Sequence, residues 1–347
     1  MAIAEITVLG GGIFGLSIAW ACAKRGAKVR LIERQHIGAG SSGGLVGALA
    51  PHTPENWNDK KAFQLDSLLM AERWWSEIEA AGGIDPGYAR LGRLQTIADA
   101  RAMALAEARI AGADLLWRGQ AVWRLVEDGD FAGWAPASPT GKLIHDTLSA
   151  RLDPRRAGAA LAAALRSIGA EIVEGRGDPI GQVIEATGVA GLDELTAHFG
   201  RTVGNGVKGQ AAILAHDAQD KPQLFLDSVH FVPHGDGQTA IGSTSERDFD
   251  NAGTTDAQLD ALIAKARRLC PALEHAEVLE RWAGVRPRGR SRAPMLGRHP
   301  IRPEHFIANG GFKIGFGMAP KVAEVMADLV LEGRDNIPEG FQPEASL

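Results

Sequence analysis

Apolar and polar positions alternate most legibly near the N-terminus. There residues 6–33, ITVLGGGIFGLSIAWACAKRGAKVRLIE, predict a buried strand, a glycine turn, a helix closed by Gly26 and a second strand at 28–32 ending in an acid. Further along, positions 66–80 place apolar residues at helical spacing before the stop Ala81-Gly82-Gly83. Residues 101–110 read as an alanine-rich helix, with a short strand at 94–98 between the two. The stretch holding Trp117, Trp123 and Trp134 is broken by Gly119, Gly129, Gly133, Pro136 and Pro139, and reads as irregular connections around a few strands. Residues 155–168, preceded by Asp153-Pro154, predict another helix, and 171–173 a strand. Strands at 211–215, 229–232 and 239–242 follow, the last two joined by the turn His234-Gly235-Asp236-Gly237. A helix then begins near Asp256, with Thr255 and Gln258 as a capping pair. No internal repeat, low-complexity tract or long charge run interrupts the pattern.

The first unit carries candidate chemistry. Gly10 allows a sharp turn off the strand, Gly12 lets backbone approach a pyrophosphate, and Gly15 lets the helix lie close to the sheet. The helix start offers free amides and partial positive charge to phosphates, and Glu33 stands where a carboxylate takes ribose hydroxyls. Three later segments bear on which dinucleotide is held. Gly38, Gly40, Ser41, Ser42, Gly43 and Gly44 form a long small-residue loop, which a nicotinamide does not need and an extended FAD does. Residues 183–188 form an apolar strand ending in Ala186-Thr187-Gly188, small groups suited to lie beside the cofactor. Residues 306–320 run through Gly310, Gly311, Phe312, Lys313 and Ile314 into a helix expected at 321–331, with Pro320 in its first turn. Its dipole would stabilise negative charge on the pyrimidine end of a reduced flavin. Taken in this order, the segments favour FAD.

Composition narrows the class. With 347 residues, the chain has room for two domains or one with an insertion, and 45% hydrophobic with 23% charged residues is ordinary for a soluble globular protein. A net charge of −5 argues against a nucleic-acid partner. Cys22 and Cys270 lie far apart, outside any metal-ligand or redox spacing, so no metal site is expected and a reducing compartment is. No apolar run is long enough for a membrane span, and the first strand begins too early for a signal segment, so the expected location is cytoplasmic. Eight tryptophans against one tyrosine read mostly as core or pocket wall.

The pieces VLGGGIFGLSIAW, IERQHIGAGSSGGLVGALAPH, RLDPRR, VKGQ, HFVPHGDGQTAIGSTSE and RWAGVRPRGRSRAPMLGRHP, with the C-terminal glycine segment, make the chain resemble the D-amino acid oxidase superfamily, in its glycine oxidase and sarcosine oxidase branch. The resemblance implies a mixed α/β fold: a Rossmann-like FAD-binding domain assembled from separated segments (1–85, 145–210 and 281–347) and an inserted antiparallel-sheet substrate domain (86–144 and 211–280). It also implies oxidation of the carbon–nitrogen bond of a glycine-like, D- or N-substituted amino acid by hydride transfer to flavin, the imine then being hydrolysed. The FAD contacts it implies are Gly10, Gly12, Ile13, Phe14, Gly15, Glu33, Arg34, Ser41, Ser42, Gly43, Leu45, Val173, Thr187, Gly188, Gly311, Phe312, Lys313 and Ile314. Arg286 matches the arginine of the WAGLRP motif as a carboxylate clamp, and Lys313 takes the place of a second carboxylate-contacting arginine, as a point charge without the fork. His230 replaces a pocket tyrosine, and His52 is expected near the flavin face. No cysteine lies in the segment where sarcosine oxidases tether the flavin, so FAD is expected to be non-covalent. The chain departs from the family in the short stretch between the strand at 171–173 and the ATG strand, which trims the usual meander, and in lacking an aspartate after the clamp motif. Two other readings stay open: a 2-hydroxy acid substrate on the same clamp, and a flavin-carrying subunit that works with partner chains. A homo-oligomer is compatible with each.

Overall fold

The apolar strand predicted at the N-terminus becomes an inner strand of a six-stranded sheet. The computed structural model describes residues 3–347. In spatial order the sheet runs Met295–Arg298, Phe306–Asn309, Gln182–Glu185, Glu5–Leu9, Lys28–Glu33 and Glu171–Glu174. All neighbours are parallel except the first pair. Ile6 and Val8 on one face and Thr7 on the other are all fully buried, as a parallel sheet covered on both faces requires. The trimmed connection holds: residues 175–181 alone link Glu171–Glu174 to Gln182–Glu185, and Ile180 pins them beneath the first strand by exchanging bonds of 2.7 and 2.8 Å with Thr7.

Seven α-helices occur among the described residues: α1 (Ile13–Lys24), α2 (Asp59–Gly82), α3 (Ala100–Leu116), α4 (Pro154–Ser167), α5 (Val189–Phe199), α6 (Ala257–Leu269) and α7 (Gly315–Glu332). Helices α1, α2, α4 and α7 pack on one another over the six-stranded sheet and bury Trp75, Leu68, Leu161 and Met326. Gly82 permits the close α2–α4 contact, since a Cβ there would fall against the Ala164 backbone. Helix α5 was not foreseen, although Leu192, Leu195 and Phe199 keep helical spacing between Gly188 and Gly200. None of the helices is long and apolar enough to cross a membrane.

A second sheet has eight strands, in the order Val278–Gly289, Gly204–Leu214, Thr239–Gly242, Val229–Pro233, Gln223–Leu226, Arg93–Thr96, Lys142–Asp146 and Trp123–Glu127. It is antiparallel except between Gln223–Leu226 and Arg93–Thr96. Helix α6 covers one face through Leu259, Ile263 and Ala266. Two details differ from expectation. Asp256, not Thr255, caps α6, accepting from the Gln258 amide at 2.9 Å. Sheet membership also crosses the expected domain limits, because the long antiparallel partners Gly204–Leu214 and Val278–Gly289 pair along their length and carry residues 204–210 and 281–289 into the eight-stranded sheet.

Candidate active site

One cavity of about 940 Å³ lies between the two sheets. Its size suits a cofactor with a small ligand. Its wall includes the turn residues Gly10 and Gly12, with Ile13, Phe14, Glu33 and Arg34, and also Phe225, His230, Arg286 and Lys313. Ser41, Ser42, Leu45, Thr187, Gly188, Gly311 and Phe312 line it as well. The expected contacts Gly15, Gly43, Val173 and Ile314 are not on its wall. Gly15 serves by packing instead: a Cβ there would overlap the Gly10 carbonyl. Gly43 borders an adjoining cavity behind the loop, Val173 pairs with Ile32 inside the sheet, and Ile314 is the N-cap of α7.

The glycine turn is shaped by contacts that only glycine allows. Gly10 has φ +112°, and a Cβ there would collide with the Ala186 carbonyl of the neighbouring strand. Glu33 accepts the Gly11 amide at 2.7 Å and the Gln35 amide at 2.9 Å, so its carboxylate is fixed at the cavity edge. The helix starts divide into two kinds. Helices α2, α3, α4 and α6 carry side-chain caps from Asn58, Asp99, Asp153 and Asp256. Helices α1, α5 and α7 start at Gly12, Gly188 and Ile314, which supply no side-chain cap of their own, and their first turns border the cavity. The first α1 amide, that of Ile13, donates to Ser42 Oγ at 3.0 Å. Three helix N-termini thus border one space, an arrangement that receives anions. Helix α7 begins five residues before Pro320, correcting the expected start at Lys321. Proline removes one helical donor there, and the Lys321 amide turns to Ser67 Oγ at 3.2 Å.

On the same wall Arg286 projects from the strand Val278–Gly289. Its Nη2 donates to Ser243 Oγ at 2.6 Å and its Nη1 to the Thr244 carbonyl at 3.2 Å. It makes no ion pair among the described residues. Burial pushes its pKa down to about 10, opposed by the charge of Glu246, so it stays cationic at neutral pH. The Lys313 pKa is lowered by burial and then by Arg286 and Arg288, and among the described residues it has no carboxylate partner. His230 is pushed down to about 3 by burial, with Arg93 and Lys313 adding to the effect, so it is neutral; its Nδ1 has no partner and its ring lies 4.6 Å from that of Phe225. Three expected residues therefore meet in one pocket. His52 does not: its backbone amide donates to Gln64 Oε1 at 2.7 Å and its ring nitrogen engages the same oxygen, tying it to α2 away from the cavity.

Other wall residues carried weaker signals. Trp282 borders the cavity, and Gly284 is needed beneath its ring, where a Cβ would overlap the indole. His234, read as part of a turn, is buried with Nε2 2.9 Å from the Leu45 carbonyl, linking the cofactor loop to the eight-stranded sheet. Only its place directly before the turn pair Gly235-Asp236 hinted at a constraint.

The chain is 30% identical over 352 residues to a putative thiamine biosynthesis oxidoreductase ThiO of Rhizobium etli, covering 98% of each chain. It is 26% identical over 367 residues to a glycine oxidase of Geobacillus kaustophilus, covering 94% of this chain and 92% of the relative. The crystal structure of glycine oxidase from Geobacillus kaustophilus superposes with a TM-score of 0.82 over 98% of both chains at 23% identity, a likeness of fold. The family model described as FAD dependent oxidoreductase (DAO) matches residues 5–329, and the chain belongs to that family.

Proposed function

We propose that this FAD-dependent oxidoreductase oxidises the carbon–nitrogen bond of a small glycine-like, D- or N-substituted amino acid, held by its carboxylate on Arg286. The observation that carries the reading is a half-buried guanidinium on the cavity wall that has no ion-pair partner among the described residues. Two of its five N–H donors are spent on neutral acceptors, leaving the rest for a carboxylate. The uncapped starts of α1, α5 and α7 and the Gly10–Gly12 turn fit the phosphates and polar rim of FAD. The names of the relatives, a glycine oxidase and an oxidoreductase of thiamine biosynthesis, agree with this substrate class.

Bound FAD would supply the acceptor for the hydride leaving the carbon next to the amine. The chain's own contribution is orientation. Arg286 fixes the carboxylate plane, and Lys313 adds a second positive charge without directional preference. Two cations beside neutral His230 also lower the proton affinity of a nearby amine, favouring the neutral form that can lose hydride from the adjacent carbon. The imine product then requires only water. We propose that FAD is untethered, because Cys22 and Cys270 are buried and neither borders the cavity. Acid precipitation should therefore release the yellow colour into the supernatant; colour kept in the pellet would contradict it. Two free cysteines also suit a cytoplasmic setting.

Anaerobic mixing with a panel of glycine, sarcosine and D-amino acids tests the reaction. At least one should bleach the flavin, and Arg286→Leu should cut kcat/KM for it by about 100-fold or more at normal FAD content. A protein that no amine on the panel reduces would overturn the assignment.

A further inference from the structure

The VKGQ segment and the Ser243–Glu246 segment meet directly behind the clamp, and the function above uses neither. Arg286 lies opposite Val207 in the antiparallel pair, so its guanidinium leans across Gly209 on the same face. A Cβ at Gly209 would overlap the guanidinium, which rests on bare backbone. Lys208 and Gln210 point to the opposite face. Lys208 is 2% exposed, and its Nζ lies 3.0 Å from Asp256 Oδ2 and 3.6 Å from Glu246 Oε2. Gln210 Nε2 donates to Glu246 Oε1 at 3.0 Å and to Asp256 Oδ1 at 2.8 Å, while its Oε1 accepts the Asp256 amide at 2.9 Å.

These contacts determine where the acceptors of Arg286 stand. Lys208 and Glu246 exchange backbone bonds of 2.9 Å in both directions. The Thr244 amide donates to the Gln210 carbonyl at 3.2 Å, and Thr244 Oγ1 accepts the Gln210 amide at 2.8 Å and donates to the Glu246 carboxylate. The Thr244 carbonyl and Ser243 Oγ, held in this way, receive Arg286. Glu246 is the carboxylate whose charge supports the guanidinium, yet its own contacts are with Gln210, Thr244 and Lys208. A direct Arg286–Glu246 pair would consume the donors a substrate needs. A buried lysine is costly to place, and here it holds the carboxylate back.

We propose that Lys208, Gln210 and Glu246 are positioning residues for Arg286, fixing the acceptors of its guanidinium and supplying a compensating charge that leaves its fork open. This rests on the reading of Arg286 as the carboxylate clamp. The test titrates acetate into oxidised FAD-loaded protein and follows the flavin absorbance. Arg286→Leu should abolish the response. Glu246→Gln should weaken acetate binding about tenfold with FAD content unchanged, and in an Arg286→Lys background, which keeps the charge without the fork, the same change should cost less than about twofold. An equal penalty in both backgrounds, or none in either, would overturn the proposal while leaving the clamp intact. A normal acetate response in Arg286→Leu would remove the clamp reading and this inference together. Should Glu246→Gln fail to fold, the paired change Lys208→Met with Glu246→Leu, which leaves neither Lys208 nor Glu246 as an unpaired ion, must show the same dependence on Arg286.

Discussion

Arg286 and His230 show how burial sets opposite roles for two basic side chains in one pocket. Arginine keeps its charge even when burial brings its pKa down to about 10, whereas histidine loses its charge long before neutrality. His230 in the folded protein takes a proton only near pH 3, against about 6.5 when unfolded. The unfolded chain therefore binds more protons between those limits. The stability that neutral His230 allows is complete above about pH 6.5 and falls on acidification towards pH 3, at up to about 1.4 kcal/mol per pH unit. Replacing His230 by Gln should flatten the fall in stability between pH 6.5 and 4, measured by denaturant titration; an unchanged slope would show that the ring titrates normally. Lys313→Met should raise KM for an amino acid substrate several-fold and change kcat less, since a point charge without a fork contributes mostly to uniform binding. Equal losses in kcat and kcat/KM would place Lys313 at the reacting atoms instead. Arg286 and Lys313 were legible as pocket cations from their motifs. His52 was misplaced because proximity along the chain to the cofactor loop does not reveal that Gln64, one helix away, captures it.

Helix starts were the most informative elements. The contrast between capped α2, α3, α4 and α6 and uncapped α1, α5 and α7 separates structural helices from those that face the ligand. Gly12 has an extended backbone that other residues can adopt, at φ −82° and ψ 178°. Gly12→Asp should therefore supply α1 with a cap worth roughly a few tenths of a kcal/mol while repelling phosphate. The expected product is colourless and melts no lower than wild-type apoprotein; one retaining full FAD would refute the role of that helix end. The first of these starts was readable from its glycines and from Glu33. The third was misread because Pro320 usually opens a helix, but here the chain was already helical for five residues, with Ser67 of α2 taking the displaced amide. Cross-element acceptors of that kind leave no local mark.

At the scale of the molecule, both sheets were implied by the family pattern, while their edges were not. Short strands such as Gln223–Leu226 bury residues without a strong local period, and the long pairing of Gly204–Leu214 with Val278–Gly289 joins segments more than sixty positions apart. Such pairings are decided by tertiary contacts rather than by composition. The cavity draws its walls from both sheets, so the coenzyme should bind only the folded chain. Saturating FAD at about 100 times its Kd should add roughly 2.7 kcal/mol of stability and raise Tm by several degrees; an unchanged Tm at full loading would deny that coupling. The three convergent helix ends have a cellular counterpart. Coenzyme held there adds stability that the chain has only once loaded. Newly made polypeptide is thus more open to proteolysis than mature enzyme, and its steady-state abundance should follow the supply of riboflavin even where transcription is constant.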